Sequence, residues 1–352
     1  MKKIYFILNT LGLTGGVKVI FEHANLLSNK GYEVHIIHLL KLRKGLLGDL
    51  IGVLKKIKYL GRKIIKESGR PDWFQLSKNI YIHHFFSLKN KNISGVIIAT
   101  ANETAEWVNK LDGDDIKKFY YVLDYEIWTR KKELVEETYR LPLSKIALSE
   151  RIKFILKDKL RQDILGIAPG GIDFDFFKCE NKKNNPQPKI LMLYHPLPKK
   201  GFSQGLEAVK EIKKLFPETK LVAFGAYEKP STALIDEFYF KPPKDVLQKI
   251  YHEADMFLYP ALEEGFGLTI LEAAAAKCAI VTTRVGWVEE KGKNMENMLI
   301  VPFNSPNKMS EAIIKLINNP GLRTYIRGNA YKTAEEFTWE KSNTILEELL
   351  IK

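Results

Sequence analysis

Short apolar runs alternate with amphipathic stretches along most of the chain. In the first half, six runs have the length and the β-branched or aromatic content of buried strands. They are KIYFIL (3–8), VHIIHL (34–39), NIYIHHF (79–85), GVIIAT (95–100), FYYVLD (119–124) and KIALS (145–149). Residues 17–29 have the apolar spacing of a helix. Strands that alternate with helices predict a parallel sheet covered on both faces.

The alternation begins again after residues 179–189, a polar, Asn-rich stretch with two prolines that we interpret as an interdomain linker. The second half predicts strands at 190–194, 220–225, 256–260 and 279–283, and helices at 202–215, 243–253, 267–277 and 338–352. We therefore expect an α/β chain with two Rossmann-like, doubly wound domains, 1–178 and 190–337. Ligands would bind in a cleft between them, at the carboxyl ends of the strands.

Length and composition agree with this division, because 352 residues suit two domains of roughly 150 residues each. No apolar run approaches the ~18–20 residues that span a bilayer. The opening MKKIYFILNTLGL is interpreted as a first strand rather than a signal peptide. Cys179 and Cys278 have no metal-ligand spacing, so we expect neither a disulfide framework nor a zinc site, and a cytoplasmic location.

The net charge of +13 is unevenly distributed, since residues 41–70 contain ten Lys/Arg against two acidic residues. Within 46–66 the apolar positions have helical spacing. The candidates for membrane contact are five of the basic residues among the other positions: Lys55, Lys56, Arg62, Lys63 and Lys66. A basic amphipathic helix indicates peripheral contact with an anionic membrane surface. The alternative is that its apolar face completes the first domain's core. No nucleic-acid partner is expected, because no binding motif or aromatic interleaving accompanies the charge.

A glycine-rich turn follows the first predicted strand. In NTLGLTGGVKV, Gly15 and Gly16 precede a helix expected to begin near Val17. Glycine lets a ligand approach the backbone closely, and the free amides of a helix start favour an anion. The alternative is a flexible turn without a ligand.

The stretch EEGFGLTILEAAAAK, residues 263–277, places Glu264 and Glu272 eight positions apart around a Gly-Phe-Gly turn. A helix would separate them by roughly 10 Å, about the span of a diphosphate with a hydroxyl-bearing ring at each end. The amides of 265–268 lie between them at the positive end of the helix. The alternative is that Glu272 is exposed to solvent and has no ligand. It is disfavoured because the helix is apolar nearly all round, where a carboxylate is costly without hydrogen bonds.

The segment PALEEGFGLTILEAAAAKCAIVTTRVG resembles the nucleotide-sugar motif of the retaining GT-B glycosyltransferases of the large family four, with their Glu-x7-Glu signature. TGGVKVI, APGGIDFDFF, LYHPLPKKGFSQGLEAV, NMLIVPFNSP and FTWEKS resemble further elements of that family in the expected order. The resemblance implies the GT-B fold, with helix 338–352 crossing back to the N-terminal domain. It also implies retaining transfer of a sugar from a nucleoside diphosphate sugar to a saccharide or lipid-linked acceptor, with no cofactor. The Asp-Phe-Asp stretch at 173–175 resembles the Asp-x-Asp motif of metal-dependent transferases of another fold but lacks that context, so we expect no required metal.

The same resemblance implies roles for individual residues. Glu264 would bind hydroxyls of the donor sugar, Glu272 those of the ribose, and Lys200 the diphosphate. The other residues of the implied donor site are Gly15, Gly16, His195, Gly265, Phe266, Gly267 and Leu268. Lys200 and Glu264 would also act in catalysis.

Two positions depart from the family's pattern. His195 stands where an arginine usually precedes the lysine, and an imidazole is cationic only below about pH 6.5 unless its site shifts its pKa. We therefore expect diphosphate binding to weaken at high pH. Asp124 stands in place of a histidine at the end of a strand, as a general base or oxocarbenium stabiliser; an ordinary strand-end residue is the alternative.

Candidates on the acceptor side are Glu126, His83 and His84, although a position at the edge of the core is the alternative for both histidines. The favoured function is assembly of a cell-surface polysaccharide or glycoconjugate. A nucleotide-sugar epimerase of the same fold and a non-catalytic nucleotide-sugar-binding or scaffold protein are the competing hypotheses.

Overall fold

The computed structural model describes residues 2–40, 69–89, 91 and 93–351, which form two compact units. The first unit runs to Leu148 and also includes Ile152–Ala168 and the residues from Asn343 onward; the second comprises Ser149–Arg151 and Pro169–Ser342. The basic segment 46–66, with all five of its membrane-contact candidates, lies outside the described residues.

The first unit contains a parallel sheet with the strand order β3-β2-β1-β4-β5-β6-β7. The strands are β1 (Lys3–Leu8), β2 (Glu33–Leu39), β3 (Tyr81–Phe85), β4 (Gly95–Ala99), β5 (Ile116–Val122), β6 (Ser144–Ala147) and β7 (Gly166–Ile167). The helices between them are α1 (Gly15–Asn29), α2 (Asn102–Asn109), α3 (Lys132–Tyr139) and α4 (Glu150–Phe154), the last continued by a π-helical turn at Ile155–Lys159. In β1 every residue after Lys3 is buried, as expected for a strand covered on both faces.

The second unit contains another parallel sheet, with the order β10-β9-β8-β11-β12-β13. The strands are β8 (Lys189–Leu193), β9 (Lys220–Gly225), β10 (Glu237–Phe240), β11 (Met256–Tyr259), β12 (Ala279–Thr282) and β13 (Leu299–Ile300). The helices are α5 (Phe174–Phe177), α6 (Phe202–Leu215), α7 (Lys244–Glu253), α8 (Leu268–Ala275), α9 (Val288–Lys291), α10 (Pro306–Asn318), α11 (Pro320–Ala334) and the start of α12 (Trp339–Ile351).

Helix α8 is the apolar, Ala-rich helix of the two-glutamate stretch, and the second unit buries it almost completely. It ends in a Schellman motif: the Lys277 amide donates to the Ala274 carbonyl, and the Cys278 amide donates to the Ala273 carbonyl. Lys277 has a φ of +52°, a left-handed conformation in which glycine is usual. The helix therefore ends two residues before the predicted position.

The junction between the units falls between Ala168 and Pro169, whereas the sequence placed the end of the first domain at residue 178. The stretch predicted as a linker is held by hydrogen bonds within the second unit. Asn185 bonds through its backbone and side-chain amides to the two Asp255 oxygens at 3.1 and 2.8 Å. The Lys182 ammonium donates to two backbone carbonyls at the end of α7, each at 2.8 Å.

The last helix, α12, crosses back to the first unit, as predicted. Asn343 Oδ1 lies 3.2 Å from His23 Nδ1 in α1, and Glu347 bonds to Lys30 at 2.5 Å and to the Tyr32 hydroxyl at 2.8 Å. None of the helices in the described ranges is long and apolar enough to cross a membrane.

Candidate active site

Lys200 and Glu264 form an ion pair beside the carboxyl end of β11. The Lys200 ammonium lies 2.5 Å from Glu264 Oε2, and each side chain is only 15% exposed. The Tyr259 hydroxyl, from the last residue of β11, donates to the same Glu264 oxygen. A lysine, a carboxylate and a phenol from two loops and a strand end thus meet at one point.

A tight backbone turn brings Lys200 to this position. Lys200 ends a 3₁₀ turn, Pro198–Lys200, and Gly201 follows with a φ of +66°. A Cβ on Gly201 would lie 1.9 Å from the Pro260 carbonyl oxygen, so only glycine fits. The Leu262 amide donates to the Lys199 carbonyl at 2.7 Å and joins the loop after β8 to the loop after β11.

Charge and burial fix the protonation of this group. Burial alone would raise the pKa of Glu264, but the charge of Lys200 and the hydrogen bonds from Lys200 and Tyr259 outweigh it and lower that pKa. Burial and the neighbouring carboxylate raise the pKa of Tyr259. At neutral pH the site therefore holds an ammonium, a carboxylate and a neutral phenol donor.

The turn Gly265–Gly267 leads from Glu264 into α8. Gly267 precedes the helix with a φ of +94° and has no side chain to cap it, so the first amides of α8 have no side-chain acceptor there. Phe266 is 3% exposed and its ring packs edge-on against Phe337. Its contribution to a ligand site is therefore its backbone, which Trp287 fixes by donating its amide to the Phe266 carbonyl at 2.9 Å. Leu268, the first residue of α8, is half-buried.

Glu272 lies in the second turn of α8 and is 4% exposed. The hydroxyl of Tyr251, a fully buried residue of α7, donates to Glu272 Oε2 at 3.0 Å. Glu272 is therefore not a solvated residue, and its carboxylate is stabilised by a hydrogen bond within the unit.

His195 follows β8 and is a neutral donor rather than a cation. Its Nδ1 lies 3.1 Å from the Leu197 amide and accepts from it, so the ring proton resides on Nε2. Burial, and then the charge of Lys200, lower the pKa of His195 to about 4. The expectation of a charge that titrates near pH 6.5 is corrected accordingly, because sequence alone shows neither the burial nor the nearby ammonium.

In the first unit, the predicted glycines open α1, which begins at Gly15 rather than near Val17. Thr14 caps the helix through a bond from the Val17 amide at 3.2 Å. A Cβ on Gly16 would lie 3.3 Å from Leu123, so the helix start is packed beside the residue that precedes Asp124.

Strand β5 ends at Val122, so Asp124 lies in the loop beyond it and not at the strand terminus. Its Oδ1 accepts from the Tyr125 amide at 2.8 Å. Glu126 Oε2 accepts from the backbone and side-chain amides of Asn102 at 2.6 and 2.9 Å. Burial raises the pKa of Glu126 to about 7, although the Asn102 bonds oppose this shift.

His83 and His84 lie in the edge strand β3 and contact histidines of β2. His83 Nε2 is 3.0 Å from His35 Nδ1, and His84 Nδ1 is 3.2 Å from His38 Nδ1. These contacts favour the core-edge alternative over an acceptor role.

The described residues contain no group of three or more His, Cys, Asp or Glu side chains that could hold a metal ion. The Asp-Phe-Asp stretch has other contacts: Asp173 caps α5 and pairs with Lys244 at 2.6 Å, and Asp175 pairs with Lys178 at 2.9 Å.

Sequence reasoning missed Tyr251 and Tyr259, the two phenols that bond to the glutamates. No spacing signal could have identified them, because each looks like an ordinary apolar residue of its helix or strand. Sequence reasoning also assigned no role to Glu263. In the structure Glu263 lies 3.9 Å from Arg151, and Arg151 pairs with Glu289 at 3.3 Å.

Comparisons with known proteins identify similar sequences and structures. Residues 173–333 match the family model of the group 1 glycosyl transferases. The capsular polysaccharide biosynthesis glycosyltransferase CapM of Staphylococcus aureus is 28% identical over 237 residues, which cover 58% of this chain and 62% of CapM. The chain spans less than two thirds of the length of the curated relatives that it matches.

Two solved structures resemble the chain along nearly its whole length. Sucrose-phosphate synthase from Thermosynechococcus elongatus has a TM-score of 0.72 at 14% identity, with 99% of this chain and 98% of that chain covered. Anabaena HepE, solved in complex with UDP-glucose, has a TM-score of 0.73 at 12% identity, with 99% of both chains covered. Residues 173–333 are therefore similar to the group 1 glycosyl transferases, and the chain has the GT-B fold.

Proposed function

We propose that this protein transfers a sugar from a nucleoside diphosphate sugar to a hydroxyl of a saccharide or lipid-linked acceptor, with retention of the anomeric configuration. The observation that carries the proposal is the Lys200–Glu264 pair at the start of an apolar helix whose second turn buries Glu272. A cation, uncapped helix-start amides and two carboxylates match the charges and hydroxyls of such a donor.

Each group has a distinct task in this scheme. Lys200 and the first amides of α8 stabilise the charge that develops on the departing diphosphate. Glu264 orients the sugar through its hydroxyls, and Glu272 binds the ribose. His195 contributes a neutral Nε2–H donor. Because a fixed ammonium and backbone dipoles supply the positive charge, the proposal includes no metal.

The relatives support a nucleotide-sugar donor and a polysaccharide product. HepE was solved with UDP-glucose, and CapM is named for capsular polysaccharide biosynthesis. On the acceptor side we assign Asp124 as the candidate general base or oxocarbenium stabiliser, with Glu126 beside it. The raised pKa of Glu126 keeps part of its population protonated at neutral pH, which suits proton exchange with a hydroxyl.

A two-stage experiment tests the proposal. The full chain is first screened by thermal shift against UDP, GDP, ADP and dTDP and their glucose, mannose and N-acetylglucosamine derivatives; a ligand that binds the folded state raises Tm. The stabilising donor is then incubated with the protein, with and without simple saccharide acceptors, and followed by NMR.

Release of the nucleoside diphosphate with an α-configured product from an α-linked donor is the expected result. Isomerised donor without an acceptor would indicate the epimerase hypothesis. Binding without turnover would favour the non-catalytic hypothesis, and a flat thermal-shift screen would contradict the proposal.

The basic segment 46–66 supports a second part of the proposal, peripheral contact with an anionic membrane on its cytoplasmic side. Flotation with liposomes that contain phosphatidylglycerol is expected at low salt, and vesicles of phosphatidylcholine alone serve as the control. We expect no flotation, so that the protein stays at the bottom of the gradient, for a variant in which five basic residues are changed to glutamine: Lys55, Lys56, Arg62, Lys63 and Lys66. Equal flotation of both chains would contradict membrane contact through this segment.

A further inference from the structure

Each of the two glutamates of the candidate site accepts a hydrogen bond from a buried tyrosine. Tyr259 donates to Glu264 Oε2, and Tyr251 donates to Glu272 Oε2. The tyrosines come from different elements, the end of β11 and helix α7. Both carboxylates are thus held at one oxygen by a group that carries no charge at neutral pH.

The two oxygens of Glu264 are used unequally. Oε2 accepts from both Lys200 and Tyr259, whereas Oε1 has no hydrogen-bond partner among the described residues. The side chain is 15% exposed. Oε1 is not one of the buried polar atoms that lack a partner, so solvent reaches this oxygen. The arrangement therefore presents one oxygen of the carboxylate outward and holds the other inward.

Tyr259 is better placed than Lys200 to keep this orientation when a donor binds. Lys200 has a flexible four-carbon stem, and a diphosphate with about two negative charges competes with Glu264 for its ammonium. Tyr259 is 3% exposed, and its ring stacks on Phe257 with the centroids 5.8 Å apart. Its hydroxyl therefore cannot follow the diphosphate.

We propose that Tyr259 is a positioning residue for Glu264. Its hydroxyl holds Glu264 Oε2, so that Oε1 faces the hydroxyls of the donor sugar. It keeps this orientation after the Lys200 ammonium has moved from Glu264 to the diphosphate. This inference rests on the proposed function, because it explains how Glu264 is oriented towards the donor sugar that it is proposed to bind. Tyr251 is the matched residue at the other end of the site, where the ribose is proposed to bind.

The test compares Tyr259→Phe with Tyr251→Phe, since both changes remove one buried hydroxyl and keep the ring. The probes are the nucleoside diphosphate and the nucleotide sugar that stabilise the wild type most, and the readouts are both dissociation constants and kcat. For Tyr259→Phe we expect less than a twofold change in the affinity for the diphosphate. The nucleotide sugar should then bind no more tightly than the nucleoside diphosphate. The kcat should fall about tenfold to a hundredfold, as for a lost hydrogen bond to a charged group. For Tyr251→Phe we expect both ligands to weaken by the same factor.

The pH profile separates positioning from a merely structural role. The groups that face Glu264 are Lys199, Lys200, His195 and Tyr259. Loss of the phenol bond raises the pKa of Glu264, so the acid limb of kcat/KM should move to higher pH in Tyr259→Phe. If that variant does not fold, 3-fluorotyrosine at position 259, a stronger donor, should move the limb to lower pH.

The inference would be overturned, in a wild type that turns over the donor, by any one of three results for Tyr259→Phe. These are tighter binding of the nucleotide sugar than of the diphosphate, an unchanged kcat, and an acid limb of kcat/KM at the wild-type pH. A wild type that binds neither probe would instead overturn the proposed function.

Discussion

Replacement of Lys200 by methionine tests how strongly the ion pair holds the candidate site together. Methionine keeps the length of the side chain but leaves Glu264, at 15% exposure, with only the bond from Tyr259. Removal of one partner of a buried pair costs about 3–5 kcal/mol. Residual hydration and the phenol bond reduce this to about 2–3 kcal/mol at pH 7. At about 2–4 °C per kcal/mol for a unit of this size, Tm should fall by about 4–12 °C.

The loss should depend on pH with a defined sign. In the wild type the pKa of Glu264 lies below its usual value, so the carboxylate contributes stability that is present above its unfolded pKa of about 4.3 and disappears as pH falls through the folded pKa. In Lys200→Met, burial dominates and raises that pKa above the unfolded value, so ionisation now destabilises the fold. The difference between the two proteins should be largest near pH 7 and shrink towards pH 4.

Urea unfolding at pH 7 and pH 4.5 measures both effects. Lys308→Met, which removes an exposed pair with Glu311 at 2.7 Å, is the matched control and should cost no more than about 0.5 kcal/mol. The double variant Lys200→Met/Glu264→Gln should recover most of the lost stability, because no buried charge remains. A Lys200→Met protein as stable as the Lys308→Met control, or a loss that is equal at both pH values, would refute the reasoning.

Three further predictions concern other parts of the molecule. In ligand-free protein the NMR shift of the His195 ring should stay constant from pH 6 to 8.5, because its pKa is about 4; a step near pH 6.5 would contradict this. Gly201→Ala should cost about 3 kcal/mol in urea unfolding through its contact with Pro260, whereas Gly328→Ala, which meets no atom within 4 Å, should be neutral or stabilising; similar losses would count against the predicted strain. Because burial raises the pKa of Glu126 to about 7, its contribution to stability falls as pH rises from about 4.5 to 7, and Glu126→Gln should remove that slope; an unchanged slope would disprove the shift.

The elements that sequence reasoning predicted well are those with long apolar patterns. Strand β1, helix α6 and strand β9 have the predicted bounds, since buried parallel strands and one-sided helices leave clear periodicity. Strand β10 (Glu237–Phe240) was missed because it is a short, half-buried edge strand. Strands β7 and β13, of two residues each, are too short to leave any pattern.

For the candidate site, the sequence predicted which residues could bind a ligand but not which side chains contact them. The spacing of Glu264 and Glu272 could be read directly, but their tyrosine partners depend on which strand end and helix face meet in three dimensions. The lowered pKa of His195 likewise follows from its burial first and from the charge of Lys200 second, and not from its position in the sequence. Asp124 was assigned to a strand end that lies two residues earlier, because FYYVLD carries no signal for where pairing stops.

The central claim is that Glu264 and Glu272 bind the two ends of one nucleotide sugar. The most direct test is isothermal titration of the full chain and of Glu264→Gln and Glu272→Gln. The ligands are the UDP, GDP, ADP or dTDP sugar that stabilises the wild type most and the corresponding nucleoside diphosphate. The account predicts that Glu264→Gln binds the nucleotide sugar no better than the diphosphate, and that Glu272→Gln loses affinity for both. A wild type that binds none of these ligands, or two variants that bind them as the wild type does, would contradict it.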